Sequence, residues 1–195
     1  MKLPTLATPR LSIRPFALTD VPAYVAYHDD PEVARYQSWE VPYPAAEAEA
    51  HARQTQLAPV LSEAWATLTL HRQDDLPGHQ LGHQPGHQLG HQLGHLALRL
   101  TGHRTAEVGF TLARAAWGHG YAHEALSALV EWLFTGADLH RVQASLDPRN
   151  ERSAALLKRC GFRAEGVSVQ AYWHRAEWTD DAHYALLRSE WQEGI

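Results

Sequence analysis

The apolar positions of this chain fall into short alternating runs separated by a few helical stripes. Leu11 and Ile13 alternate with Ser12 and Arg14, which predicts a strand over residues 10–16. Thr19 then stands where a helix cap belongs, with Pro22 in the first turn. Val21, Tyr24, Val25 and His28 follow at helical spacing, and Pro31 ends that helix or restarts a short turn. Residues 45–58, rich in Ala, Glu and Gln, predict a second, more polar helix. Alternation returns over 65–71, where Ala66, Leu68 and Leu70 share a face. It returns again at Leu96, Leu98 and Leu100, and over 107–112 with Val108, Phe110 and Leu112 on one side. No helix separates these three strands, so they predict an antiparallel meander.

A helix from about Gly118 to Thr135 carries the stripe Leu126, Leu129, Val130 and Leu133, and Gly136 stops it. Val142, Ala144 and Leu146 mark another strand. Asn150 caps a helix that ends at Cys160-Gly161, with Ala155, Leu156, Leu157 and Cys160 turned inward. Two strands at about 163–173 and 181–188 complete the order. Strands and helices so arranged make an α/β sandwich around one mixed sheet, a single domain over residues 1–195.

Composition changes this picture little. The 195 residues are 45% apolar and 20% charged, which suits one soluble domain. A net charge of −5 without a basic stripe argues against a nucleic-acid partner. Cys160 is the sole cysteine, so no internal disulfide can form. There is no apolar run long enough for a transmembrane helix, and residues 1–9 lack the apolar core of a signal peptide, so no membrane partner is expected and the cytoplasm is the expected compartment.

Residues 78–95 repeat the tetrapeptide Gly-His-Gln-Leu, with Pro85 replacing one leucine. His79, His83, His87, His91 and His95 recur every fourth residue, which invites a metal-site reading. The glycines recur with the same period and each costs about 1 kcal/mol in a helix, so a helical histidine face is disfavoured. The repeat at about 77–95 reads instead as an expanded, mobile hairpin tip, cheap to carry because loop closure grows only logarithmically with length. No metal-ligand set is assigned.

The informative stretch is 107–125. It places a strand, a short loop with Gly118 and Gly120, and an amphipathic helix in succession. The first N–H groups of a helix have no internal partner and sit at the positive end of its dipole. Two glycines let a ligand approach the backbone, which makes an anion site suited to a pyrophosphate. A tight strand-to-helix turn would use the same residues. The loop lacks the Gly-Lys-Ser/Thr of a P-loop, and His123 occupies the third glycine position of the dinucleotide fingerprint.

Trp117-Gly-His-Gly-Tyr-Ala-His-Glu-Ala125 resembles the acetyl-CoA loop of the GNAT acetyltransferase superfamily, in the form carried by its ribosomal-protein alanine N-acetyltransferase (RimJ/RimL type) branch. Ala115 stands where the superfamily pattern has Gln or Arg, with Arg114 beside it. Leu11-Ser-Ile-Arg-Pro-Phe16, Asp29-Asp-Pro-Glu-Val-Ala34, Asp147-Pro-Arg-Asn-Glu-Arg-Ser153, Gly161-Phe-Arg-Ala-Glu-Gly166 and Trp178-Thr-Asp-Asp181 resemble other segments of that branch, in the same order.

The resemblance implies a GNAT fold: a mixed, mostly antiparallel sheet of six to seven strands, splayed in the middle and flanked by about four helices. It implies acetyl-CoA as cosubstrate and transfer of acetyl to an amine, either a protein N-terminus or a small molecule. Phe110, Thr111 and Leu112 would hold the pantetheine arm through open backbone groups, while Trp117, Gly118, His119, Gly120, Tyr121 and Ala122 would cradle the pyrophosphate. Asn150 would lie beside the arm, though it reads equally as a helix cap. Ser153 matches the position proposed to protonate the leaving thiolate, though it also reads as a first-turn serine. Glu107 is the candidate base, and reads equally as a strand-end ion-pair partner. Tyr172 occupies the place where one type of the branch has its basic Glu, which leaves His174 and His183 as alternates. Dimers are common in the branch, so a homodimer is allowed, although no interface signature stands in the sequence. Two other classes stay open: a non-catalytic acyl-CoA-binding or sensing protein, and a His-rich metal-binding protein.

Overall fold

The computed structural model describes residues 1–75 and 92–194. Its centre is one sheet of strands β1 (Leu6–Ala7), β2 (Leu11–Pro15), β3 (Ala66–Arg72), β4 (Gln92–Gly102), β5 (Thr105–Leu112), β6 (Arg141–Leu146), β7 (Arg163–His174) and β8 (Glu177–Leu187). Their order is β1-β2-β3-β4-β5-β6-β8-β7. Every neighbouring pair is antiparallel except β5 and β6. The strand beyond the expected six to seven is β1, whose two residues are too few to leave an alternating pattern. The helices are α1 (Val21–His28), α2 (Pro31–Ala34), α3 (Ala45–Leu57), α4 (Tyr121–Thr135), α5 (Glu151–Arg159) and α6 (Arg188–Glu193). The four expected helices are present, and the short α2 and α6 are additional. No helix among the described residues is long and apolar enough to cross a membrane.

Alternation along the strands divides the sheet into two faces. Leu11 and Ile13, Leu68 and Leu70, Leu96 and Leu98, Val108 and Val142 join Leu126, Leu129 and Leu133 of α4 and Leu157 of α5 in the main core. The opposite face carries a smaller core of Phe16, Tyr24, Tyr27, Val33, Ala48 and Ala52, supplied mostly by α1, α2 and α3. The second face is more polar, and most of its buried polar groups are paired, while the buried Gln92 Oε1 has no hydrogen-bond partner among the described residues. The His51 ring nitrogen Nε2 lies 2.9 Å from the Thr67 hydroxyl, and the His95 Nδ1 lies 2.8 Å from the Tyr27 hydroxyl.

Several expected boundaries shift for identifiable reasons. A 3-10 turn at Leu18–Asp20 leads into α1, and Asp20 reaches back to accept the Ala17 N–H at 2.9 Å. That carboxylate is also held by Arg14 at 2.7 and 2.8 Å, so Asp20 rather than Thr19 occupies the N-cap of α1, and it makes no side-chain cap bond to that helix. Ala155 is exposed, because the buried stripe of α5 runs through Leu156 and Leu157. β8 begins at Glu177, after a tight turn in which Arg175 and Ala176 both have positive φ. Without glycine or asparagine there, the sequence carried no turn signal. β4 begins at Gln92, inside the last unit of the repeat, and buries Gln92, Leu93 and His95. His79, His83, His87 and His91, and with them the reading of the repeat as a hairpin tip, lie outside the described residues.

The relation that positions the site is the short pairing of β5 with β6. Their parallel ladder covers only Thr105–Glu107 against Arg141–Gln143. β4 pairs with β5 as far as Leu112, so the far edge of β5 beyond Glu107 opens onto a gap. β6 meanwhile pairs with β8 up to Leu146. The sheet is therefore splayed between β5 and β6, as expected.

Candidate active site

At the top of the splay the chain leaves β5, passes through a 3-10 turn at Arg114–Ala116 and enters α4. Gly118 and Gly120 have φ of 79° and 78°, a region that L side chains rarely adopt. Gly120 is the N-cap of α4 and brings no side chain to cap it. The first helical bond is Glu124 N–H to the Gly120 carbonyl, at 3.1 Å. The N–H groups of Tyr121, Ala122 and His123 precede that bond and face outward as a donor set for an anion. A Cβ on Gly118 would meet nothing within 4 Å, so the approach to this backbone is open.

The loop is tied from two sides. The Trp117 indole N–H donates to the Leu112 carbonyl at 2.9 Å, which locks the loop to the end of β5. Arg10 donates from Nη1 to the His119 carbonyl at 2.9 Å, and its guanidinium lies 4.7 Å from the centre of the Tyr121 ring. Glu124, one turn into α4, accepts the Arg10 Nε at 2.6 Å and the Thr8 hydroxyl at 2.5 Å. Burial raises the Glu124 pKa, but these donors more than offset it and hold the group below the usual carboxylate range.

Below the loop, the gap between β5 and β6 forms a slot. Val108, Gly109 and Phe110 line one wall, Leu146 the other, and Asn150 and Ser153 of the α5 start close it. The Asn150 Oδ1 accepts the Ser153 N–H at 3.2 Å, so both residues are fixed by the helix start. Thr111 and Leu112 do not line the slot. The Thr111 side chain is buried opposite His95 of β4, and Leu112 belongs to the main core.

A second cleft adjoins the slot, and the two share Ala144 and Ser145 of β6. Its other walls include Glu107, Gln143, Asp181 and His183. Glu107 accepts two hydrogen bonds from Arg99, at 2.9 and 2.7 Å, both on Oε2. Arg99 in turn lies 4.6 Å over the Trp65 ring. The ion-pair reading of Glu107 is thus realised, and the same side chain faces the cleft. Asp181 has its pKa raised, first by burial and then by the charges of Glu107 and Asp147, with His183 and the Ser145 hydroxyl opposing. Glu165 at the rim is held near 2 by the Arg141 and Arg163 guanidiniums. Of the alternates considered for the base, His183 lines the cleft, with Nε2 2.8 Å from the Ser168 hydroxyl. Tyr172 is exposed, and Tyr172 and His174 are absent from its walls. Cys160 is half-buried, its thiol pKa raised by burial, in keeping with a packing role.

The structure therefore gathers Phe110, Asn150 and Ser153 around one slot, Glu107 at an adjoining cleft, and residues 117–122 at the slot's upper end. A family model described as an acetyltransferase (GNAT) domain matches residues 10–163. The chain belongs to the GNAT acetyltransferase family. Among its GNAT relatives, the uncharacterized N-acetyltransferase YnaD of Bacillus subtilis is 36% identical over 90 residues, 46% of this chain and 53% of that protein. The [ribosomal protein uS5]-alanine N-acetyltransferase of Escherichia coli is 31% identical over 87 residues, 45% of each chain. The chain spans about half the length of these curated relatives. The solved GNAT-family acetyltransferase of Bacillus anthracis superposes with a TM-score of 0.77 at 23% identity, covering 97% of this chain and 99% of that one. That likeness is one of fold.

Among the site residues that the sequence did not single out are Arg10, Arg99 and Asp181. Asp181 sits beside Asp180 in one quoted segment, and nothing in their spacing distinguishes them. The structure does, because Asp180 accepts the Gln170 N–H at 2.8 Å while Asp181 faces the cleft.

Proposed function

We propose that this protein is an acetyl-CoA-dependent N-acetyltransferase that passes acetyl to a primary amine by direct attack. The observation that carries the reading is the association of three parts: an uncapped helix start, the unpaired edge of β5 that opens a slot, and an acidic cleft that shares Ala144 and Ser145 of β6 with that slot. The residues fit acetyl-CoA chemically. The N–H groups of 118–122 suit a pyrophosphate, with the Trp117 indole and the Arg10 contact to His119 keeping the loop in place. The open edge of β5 at Val108–Phe110 suits a pantetheine arm, which pairs with backbone groups as an added strand would. Thr111 and Leu112 serve that edge from behind, by packing and by the Leu112–Trp117 tie.

The acceptor enters from the Glu107 cleft. A carboxylate there offsets the charge of an arriving ammonium, and Arg99 keeps it oriented. Acetyl transfer requires donors for the developing oxyanion and a proton for the leaving thiolate. The Phe110 backbone N–H on the open edge of β5 supplies the former and the Ser153 hydroxyl the latter, with Asn150 beside it. The acceptor is a protein N-terminal amine, as the name of the uS5-alanine relative describes for that protein, or a small-molecule amine.

Isothermal titration with acetyl-CoA tests the cofactor half of this reading. Gly118→Glu is the test variant, since its side chain enters open space and sets a negative charge against the phosphates, and Gly118→Ala controls for the strain that any side chain brings at a φ of 79°. Micromolar binding by the parent that falls at least about a hundredfold in the variant, roughly 2.7 kcal/mol, is expected. A folded parent that binds no acetyl-CoA rejects the reading.

A further inference from the structure

We infer that Asp181 is the group that takes the proton from the attacking amine, while Glu107 binds and orients that amine. This rests on the acetyltransferase reading above. The first ground is placement. Glu107 on β5, Ser145 on β6 and Asp181 on β8 line one cleft, and Ser145 is also a wall of the slot that would carry the thioester. Both carboxylates therefore face an amine approaching the splay.

The second ground is how differently the two are held. Glu107 is committed to Arg99, which takes Oε2 twice and rests on Trp65. Its charge has a permanent partner and its orientation is fixed. Asp181 has no arginine or lysine in ion-pair contact among the described residues. Its nearest cationic candidate is His183, whose Nδ1 stands 3.9 Å away. The charged groups around Asp181 are Glu107 from β5, Asp147 from the end of β6 and His183 on its own strand. Arg141 also lines the cleft but is bonded to Glu165 of β7. Burial and the two neighbouring carboxylates favour the neutral acid at Asp181. A carboxylate so placed is suited to take up a proton. The two carboxylates are thereby pushed toward different tasks.

The protons balance. The ammonium R–NH3+ gives one proton to Asp181, and the free lone pair forms the C–N bond at the thioester carbonyl. As the C–S bond breaks, the Ser153 hydroxyl gives its proton to the thiolate and takes up the second nitrogen proton in its place. Asp181 returns its proton to solvent. Ammonium and thioester thus yield amide, thiol and one released proton.

The experiment is the pH dependence of kcat/KM, from CoA release, with benzylamine, spermidine and an alanine-initiated peptide as acceptors. For the parent, kcat/KM reaches a plateau well below the amine's own pKa, because the enzyme removes the proton. Asp181→Asn is expected to lose about a hundredfold in kcat and to lose the plateau. Its kcat/KM should rise about tenfold per pH unit as neutral amine becomes available. Glu107→Gln should keep the plateau and raise KM for the amine more than it lowers kcat. Acetyl-CoA titration confirms that each variant is folded, and Asp181→Ser replaces Asp181→Asn if the latter fails that control. A plateau that survives in both Asp181 variants overturns the assignment, as does a plateau lost only in Glu107→Gln. A parent that binds acetyl-CoA but transfers to none of the three amines removes the transfer reading, and this inference with it.

Discussion

A Cβ placed on Gly94 would stand 2.2 Å from the Thr111 carbonyl oxygen. The same atom would lie 2.7 Å from the Leu112 Cα, and Gly94 has a φ of 150°. β4 therefore presses against β5 just where β5 leads into the loop at 117–120. Gly94→Ala must push the strands apart or distort its own backbone. It is expected to lower unfolding stability by about 2–4 kcal/mol, read as a lower urea midpoint at unchanged slope. A midpoint equal to the parent's would contradict this close approach.

Arg10 neutralises a carboxylate at the start of α4, where the proposed function places the phosphates. Glu124 lies in the first turn of α4, paired with the Arg10 guanidinium at 2.6 Å. Without that partner, its charge would stand beside the phosphates of a bound ligand. Hydrogen bonds to charged groups contribute roughly 1.5–3 kcal/mol, so Arg10→Ala should weaken acetyl-CoA binding about tenfold or more. Adding Glu124→Gln should recover most of the loss. Titration of the single and double variants decides the point, and a double variant as weak as Arg10→Ala would show that Arg10 acts otherwise.

The small core makes stability depend on acid. His28 is 1% exposed, its Nδ1 lies 2.6 Å from the Tyr24 carbonyl, and burial takes its pKa from 6.5 down to about 4. The Tyr24 carbonyl and the Asp29 charge oppose that shift without overcoming it. The folded protein keeps His28 neutral while the unfolded chain protonates it near 6.5. The stabilisation is thus fully present above that pH and is lost as pH falls from about 6.5 toward about 4. It amounts to something on the order of 3 kcal/mol. Burial also lowers the pKa values of His51 and His95, which steepens the same limb. Urea unfolding at pH 7.5, 6 and 5 should show the fall, and His28→Leu should flatten it. Identical slopes for parent and variant would place the acid sensitivity elsewhere.

What the sequence made legible follows from how each feature is built. The main core has one continuous apolar face, so Leu68, Leu96 and Val108 announced their strands by alternation. The site's local pieces were legible too, since Gly118 and Gly120 lie in one loop and Asn150 sits three residues from the N–H it caps. Long-range pieces were not. Arg10 meets His119, and Asp181 and Glu107 line one cleft, only through strand order and register. The contact between Gly94 and Thr111 was masked by a repeat in which every fourth residue is glycine. Thr19 misled because a local rule was outweighed by Asp20, which binds Arg14 and Ala17 together.

Asn150 permits a separation of structure from binding. Its Oδ1 caps α5, while the side chain also lines the slot beside Phe110 and Ser153. Loss of an N-cap costs about 1 kcal/mol, so Asn150→Ala should lower both stability and acetyl-CoA affinity. Serine caps nearly as well as asparagine but lacks the amide group. Asn150→Ser should therefore restore the urea midpoint and leave acetyl-CoA affinity reduced. If serine restores both, the residue serves the helix alone and the slot needs only a correctly started α5. If it restores stability without affinity, the amide itself contacts the bound arm, and one side chain both fixes the helix that carries Ser153 and holds the ligand in the slot beside it.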